Sequence, residues 1–242
     1  QLMLKHNEAD QVAMIGLVRN MINREDFQGA IDLANKCEKY DDGYEEVYRF
    51  RMQAYDKLGK TDLAIDDAIR YFDKADDPES SYVEDIFKKH LSYALAKVNT
   101  MCNKDNDRMR WKMLKISIYE WSYDFVNAIA EYNKIEKEYG AAAMIYYYRS
   151  QCYNEIGDSA KAIEDITKCI EMGDGRDYYA LAERADFYRE AGRYDEAIVD
   201  FSTMIDIAPM SAYAYYKRGW CYELKGDDKT AMENYNAGID VD

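Results

Sequence analysis

The chain has 242 residues, enough for one large or two ordinary globular domains. Its 32 Lys and Arg stand against 47 Asp and Glu, and a net charge of −15 argues against a nucleic-acid binder or a surface for anionic lipid, since both need surplus basic charge. A hydrophobic content of 48% argues against disorder, and two Pro with 12 Gly point to helix.

Taken in chain order, one dipeptide recurs: Ala30-Ile31, Ala64-Ile65, Ala128-Ile129, Ala162-Ile163 and Ala197-Ile198, with Ala231-Met232 as a sixth copy. The alanines are 34, 64, 34, 35 and 34 residues apart, so a 34-residue period is broken once by about 30 extra residues. Six units follow: 11–44, 45–78, 109–142, 143–177, 178–211 and 212–242. In four of them a Gly lies five residues before the Ala (Gly59, Gly157, Gly192, Gly226). A Tyr lies four before each Gly (Tyr55, Tyr153, Tyr188, Tyr222), and an Arg four before each Tyr (Arg51, Arg149, Arg184, Arg218). Units 11–44 and 109–142 are degenerate, with Glu25 and Tyr123 at the Gly position.

Apolar residues at i, i+3, i+4 and i+7 on either side of each Gly predict two amphipathic helices. The Gly supplies the left-handed residue that ends the first helix. The small Ala lets the second helix approach closely, and an aromatic or apolar residue one turn later (Tyr132, Ile166, Phe201, Tyr235) fills the space beside it. A hairpin of this kind leaves an apolar face uncovered, so the hairpins must stack.

This pattern resembles the tetratricopeptide repeat family. The stretch Tyr178 to Ser211, with Leu181, Ala185, Tyr188, Gly192, Ala197, Phe201 and Pro209, follows the family pattern almost in full, and the next copy carries Tyr215, Gly219, Tyr222, Gly226, Ala231 and Tyr235. The resemblance implies an all-α fold, an α-solenoid coiled as a right-handed superhelix of helix-turn-helix repeats. The domain plan is then two repeats within 1–78, an extra segment 79–108, and four repeats over 109–242. Asp242 falls where a Pro would close the last repeat, so the chain is expected to continue past it.

In the extra segment, Asp77-Pro78-Glu79 is a helix start, and Val83, Ile86, Phe87, Leu91, Ala94, Leu95 and Val98 have the period of one long helix, ended by the polar run Asn103 to Asp107. That helix is expected to cap the first block or bridge the two, with the helix around Met109 to Trp121 pairing with the one that contains Ala128. A repeat too degenerate to recognise is the alternative.

Chemistry-bearing motifs are scarce. Five Cys (37, 102, 152, 169, 221) without a C-x-x-C pair fit small buried hydrophobes in a reducing compartment better than a disulfide scaffold or zinc site. Gly59-Lys60-Thr61 follows a helix rather than a strand, which does not suit a phosphate loop, and Gly173 to Asp177 has too few carboxylates for a calcium loop. His6 and His90 are far apart in sequence. No enzyme, metal or cofactor is expected. No apolar run reaches the ~20 residues that span a bilayer, so no membrane insertion is expected either. A cytoplasmic location is the first expectation, although the chain begins at Gln1 rather than Met and export stays open.

Two sets of residues remain. Arg51, Arg149, Arg184 and Arg218 recur in phase with Asp67, Asp165, Asp200 and Asn234, which predicts structural pairs tying stacked helices rather than a ligand site. Tyr147, Tyr148, Tyr179, Tyr213, Tyr216 and Trp220 lie on first helices outside the recurring core columns. The resemblance implies that first helices line a concave groove, where Tyr and Trp serve as anchors. With Gln151, Glu183, Asp186 and Lys217 they form the candidate binding set. Some family members clamp the C-terminal carboxylates of heat-shock chaperones with several cations. Here Lys217 is the one cation on the corresponding faces, so basic or aromatic-rich partners are expected instead. The function expected is a non-catalytic scaffold that binds a protein or peptide in the groove. The alternatives are a small-molecule or sugar sensor or delivery module, and the targeting arm of an enzyme whose catalytic domain lies outside this chain.

Overall fold

The computed structural model describes residues 2–40, 44–75, 80–104, 109–173 and 175–241. The expected helix start Asp77-Pro78-Glu79, residues 105–107 of the polar run, Asp174 and Asp242 lie outside the described residues. Among those described there are fourteen helices and no strand: α1 (Leu2–Asn23), α2 (Phe27–Tyr40), α3 (Glu45–Lys57), α4 (Thr61–Lys74), α5 (Ser80–Lys89), α6 (Leu91–Lys104), α7 (Met109–Trp121), α8 (Phe125–Tyr139), α9 (Ala143–Glu155), α10 (Ser159–Met172), α11 (Tyr178–Glu190), α12 (Tyr194–Ile207), α13 (Ala212–Leu224) and α14 (Asp228–Asp240). No described helix is long and apolar enough to cross a membrane. The helices form two compact units, Gln1–Ser122 and Tyr123–Asp242, whose boundary falls inside segment 109–142.

The recurring turn has a defined chemistry. Gly59, Gly157, Gly192 and Gly226 all have φ between 67° and 80°, and the amide of the residue after each Gly returns to the recurring tyrosine. Lys60 N donates to Tyr55 O, Asp158 N to Tyr153 O and Asp227 N to Tyr222 O at 2.9 Å, and Arg193 N donates to Tyr188 O at 2.8 Å. These are Schellman caps, which satisfy carbonyls that the helix end leaves open. Gly59-Lys60-Thr61 is one of these turns. Glu25 and Tyr123 adopt the same left-handed conformation without being glycine, at φ 62° and 60°.

In the first unit, one core joins Met52, Ile65 and Ala68 to Val83, Ile86 and Phe87 of α5, Ala94 and Val98 of α6, and Trp111 and Leu114 of α7. The long helix expected over 79–101 is instead two helices that meet at His90. The His90 amide donates to the Phe87 carbonyl, and its own carbonyl starts α6 by accepting from Tyr93 and Ala94. The break lets α5 and α6 each pack on α4 and α7. The extra segment therefore holds a contracted helix pair, and α7 is packed against both of its members. In the second unit the core runs from Ile166 and Ile170 through Leu181, Ala185 and Phe187 to Phe201, Met204 and Cys221, with Tyr153 and Tyr188 packed against it.

A buried arginine ties successive helices in each unit. Arg51 on α3 donates through Nε and Nη2 to Asp67 on α4 at 2.6 and 2.9 Å, and through Nη1 to Asn35 and Glu38 on α2 at 2.7 and 2.5 Å. Arg149 on α9 repeats this pattern with Asp165 at 2.6 and 3.0 Å, Asn133 at 2.6 Å and Glu136 at 2.5 Å. Arg184 keeps the fork onto Asp200 at 2.8 and 2.7 Å, and across the stack it donates to the Thr167 hydroxyl at 3.4 Å. Arg218, grouped with the ion pairs by sequence, has neutral acceptors: Asn234 Oδ1 at 2.7 Å and Ser202 Oγ at 3.1 Å.

Two outcomes follow for stability. Arg149→Ala strands a buried carboxylate and should cost about 3 kcal/mol or more, whereas Arg218→Ala removes bonds to neutral groups and should cost about 1 kcal/mol, as read from urea denaturation. Comparable losses would mean that the carboxylates do not set the difference. Glu25→Gly relieves a left-handed non-glycine residue and should raise stability by about 0.5–1 kcal/mol in the same assay.

Candidate interaction face on the first helices of the second unit

Asp177 caps α11 by accepting from Tyr179 N at 3.0 Å and Ala180 N at 3.1 Å. With the helix start fixed, Tyr179, Glu183, Asp186 and Glu190 follow at spacings of three and four and share a side. Polar contacts link that side to the neighbouring first helices. From α9, Gln151 Nε2 donates to Glu183 Oε1 at 3.4 Å and Asn154 Nδ2 to Glu190 Oε2 at 3.2 Å. From α13, Lys217 Nζ donates to both Asp186 oxygens at 2.9 Å.

The carboxylates differ in what they face. Asp186 holds Lys217 and also accepts from Arg189 Nε at 3.0 Å. Arg189 lies 4.3 Å above the centre of the Trp220 ring, and the Lys217 ammonium lies 5.3 Å from Tyr213 and 5.6 Å from Trp220. Burial opposes the Lys217 charge, but its hydrogen bonds to Asp186 outweigh that and hold its pKa above the ordinary lysine value. Glu183 is pushed the other way. Burial raises its pKa, the charges of Asp186 and Glu190 add to this, and hydrogen bonds from Gln151 and Tyr147 offset only part of it. Tyr147 is pushed up to about 12, by its burial and then by Glu183. Among the described residues Glu183 has no ion pair.

The sequence-predicted set is brought together in part. Tyr147, Gln151, Glu183, Asp186, Tyr213, Lys217 and Trp220 form the connected face. Tyr148, Tyr179 and Tyr213 are 40%, 75% and 44% exposed, and Tyr148 meets the Tyr147 ring edge-on at 5.3 Å. Trp220 is half-buried beneath Arg189 rather than bare. Tyr216 is exposed, but it stacks between Trp220 and Tyr235 and lines a hollow of about 460 Å³ with Ala212, Tyr235, Gly238 and Ile239. Sequence reasoning counted one cation here and missed Arg189. The signal was available, since Arg189 stands three residues after Asp186 on the same helix face.

The raised Glu183 pKa has a consequence for folding. Stability from such a group is fully present below the unfolded carboxylate value, 4.5, and is lost as pH rises through the higher folded value, so the charge is a net cost at pH 7. Glu183→Gln keeps an acceptor for Gln151 and Tyr147, and should leave the melting temperature at pH 7 unchanged or raise it by about 1–3 °C. A fall of several degrees would show that the carboxylate supports the fold.

Tetratricopeptide repeat models match residues 143–172 and 213–237, which carry α9–α10 and most of α13–α14. A TPR repeat-containing protein of Methanocaldococcus jannaschii is 23% identical over 212 residues, covering 85% of this chain and 36% of that protein. The tetratricopeptide repeat protein 36 homolog of Nematostella vectensis is 38% identical over 52 residues, 22% of this chain and 29% of that protein. The matched regions thus span about a third of the length of these curated relatives. The crystal structure of the C-terminal part of a TPR repeat-containing protein from Cytophaga hutchinsonii shares the fold, with a TM-score of 0.58, 20% identity, and coverage of 94% of this chain and 95% of that one. Residues 143–172 and 213–237 thus match tetratricopeptide repeats, and the helix-turn-helix unit that recurs in phase with both lies on a fold shared with a solved repeat array.

Proposed function

We propose that the second unit is the recognition module of a non-catalytic scaffold and holds a peptide or partner helix across the first-helix faces of α9, α11 and α13. Tetratricopeptide repeats are protein-interaction scaffolds in general, and the finer reading rests on one observation. Tyr148, Tyr179 and Tyr213 stand exposed beside polar groups already ordered by contacts between helices. Exposed tyrosines offer large, stiff contact areas that lose little conformational freedom on binding. Polar groups that are already positioned discriminate between ligands without an ordering cost at the moment of contact.

The test is selection of displayed random peptides on the protein, followed by NMR mapping of the recovered sequences. Shifts should gather on the Gln151 side-chain amide, the Trp220 indole and the α11 backbone. Tyr179→Ala should weaken binding about tenfold or more, a typical anchor effect, with little change in melting temperature because this side chain is 75% exposed. Val199→Ala, on the exposed side of α12, should change neither. Shifts confined to α10 and α12 would place recognition elsewhere.

A further inference from the structure

The first-helix face of the second unit balances its charges unevenly. Asp177 is engaged in capping α11, and Asp186 is held by Lys217 and Arg189. Glu190 accepts from Asn154 at 3.2 Å and lies 3.3 Å from Arg189 Nη2. Glu183 differs from these, because its partners, Gln151 and Tyr147, are both neutral. It is half-buried, so it has already given up part of its hydration, and an incoming cation would meet it at a lower effective dielectric than bulk water. Tyr147 adjoins it, and Tyr179 stands one turn earlier on the same side of α11 with most of its ring in solvent. Aromatic faces beside a carboxylate suit a guanidinium or the stem and head of a lysine. An acidic side chain arriving here would face Glu183 and Glu190 while the nearby cations are already paired with Asp186.

We infer that the partner places an arginine or lysine side chain on Glu183, with Tyr147 and Tyr179 beside it, so that the scaffold selects a basic segment of a protein. The inference rests on the groove reading above and adds the chemistry of the partner. The net charge of −15 acts in the same direction, by speeding the approach of basic segments.

The test selects random peptides of about twelve residues, in parallel, on the wild-type protein and on Glu183→Gln in 0.15 M salt. Wild-type selection should enrich one arginine or lysine at a fixed position. The synthesised peptide should lose tenfold or more in affinity when that residue becomes glutamine, and by a similar factor on Glu183→Gln. Glu233→Gln, the same charge change on exposed α14, should alter binding less than twofold and controls for the overall charge. Glu183→Lys should recover binding of a peptide whose basic residue is changed to glutamate. Peptides that shift Gln151 and Trp220 but show no basic preference, or bind Glu183→Gln as well as wild type, would overturn the inference and leave the groove reading standing. Absence of any peptide on this face would overturn both.

Discussion

The buried guanidinium is the constraint on which each unit's geometry depends. A charge in a helix interface is tolerable only when every donor finds an acceptor, and for Arg51 and Arg149 those acceptors sit on two different second helices. One side chain on a first helix therefore fixes the register of its own hairpin and of the preceding one together. The partners lie 16, 16 and 13 residues away in both units, with the same Asp, Asn and Glu types. A well-packed apolar substitute for such a cluster is often as stable, so its contribution lies in allowing one alignment and penalising slipped ones. Both glutamates are held below the ordinary carboxylate range: burial works against this, and the hydrogen bonds from arginine outweigh it.

That alignment determines what the other side of a first helix can present. Arg149 and Arg184 point into the stack, so Gln151 and Glu183, at neighbouring positions on the same helices, face across to the adjacent first helix. The candidate face is thus a by-product of the stacking, and its polar contacts form between helices whose spacing is already set. The arginine contacts thin toward the end of the second unit, from four acceptor contacts at Arg149 to neutral groups at Arg218. There aromatic stacking carries more of the packing: Tyr235 fills the space over Gly219, where a Cβ would come within 2.8 Å of its ring.

Much of this was legible in the sequence because it is periodic. The Arg column, its partner residue and the Tyr–Gly turn recur at one spacing, so a single physical account served every copy. The helix break at His90 was not legible for the same kind of reason. Phe87 and Ala94 lie seven residues apart, close to two helical turns, and a one-residue interruption that keeps this phase leaves the apolar pattern of a continuous helix. The left-handed turns at Glu25 and Tyr123 were hidden by residue type, because the turn that ends the first helix there needs a conformation that a side chain disfavours. Arg189 was missed because it breaks the period. It pairs on its own helix and stacks across to the next, a combination that column-by-column reading does not search.

The placement of the cations decides what the face can recognise. A site for acidic ligands needs cations whose charge is not already neutralised, and here Lys217 and Arg189 both bind Asp186 while lying over aromatic rings. An acidic ligand would have to take them from a half-buried carboxylate, leaving that carboxylate unpaired, which costs more than the new contact returns. The tyrosines beside them carry no charge to repel a cation, and burial raises the Tyr147 and Tyr213 pKa values further from neutrality. Glu183 is in turn more costly to charge than an ordinary glutamate. A scaffold that retains such a group in its folded state gives up a little stability for it, and a cation that settles beside it recovers that loss only in the bound state. The selectivity for basic segments inferred above would thus arise from the same burial that makes Glu183 unfavourable to the free protein.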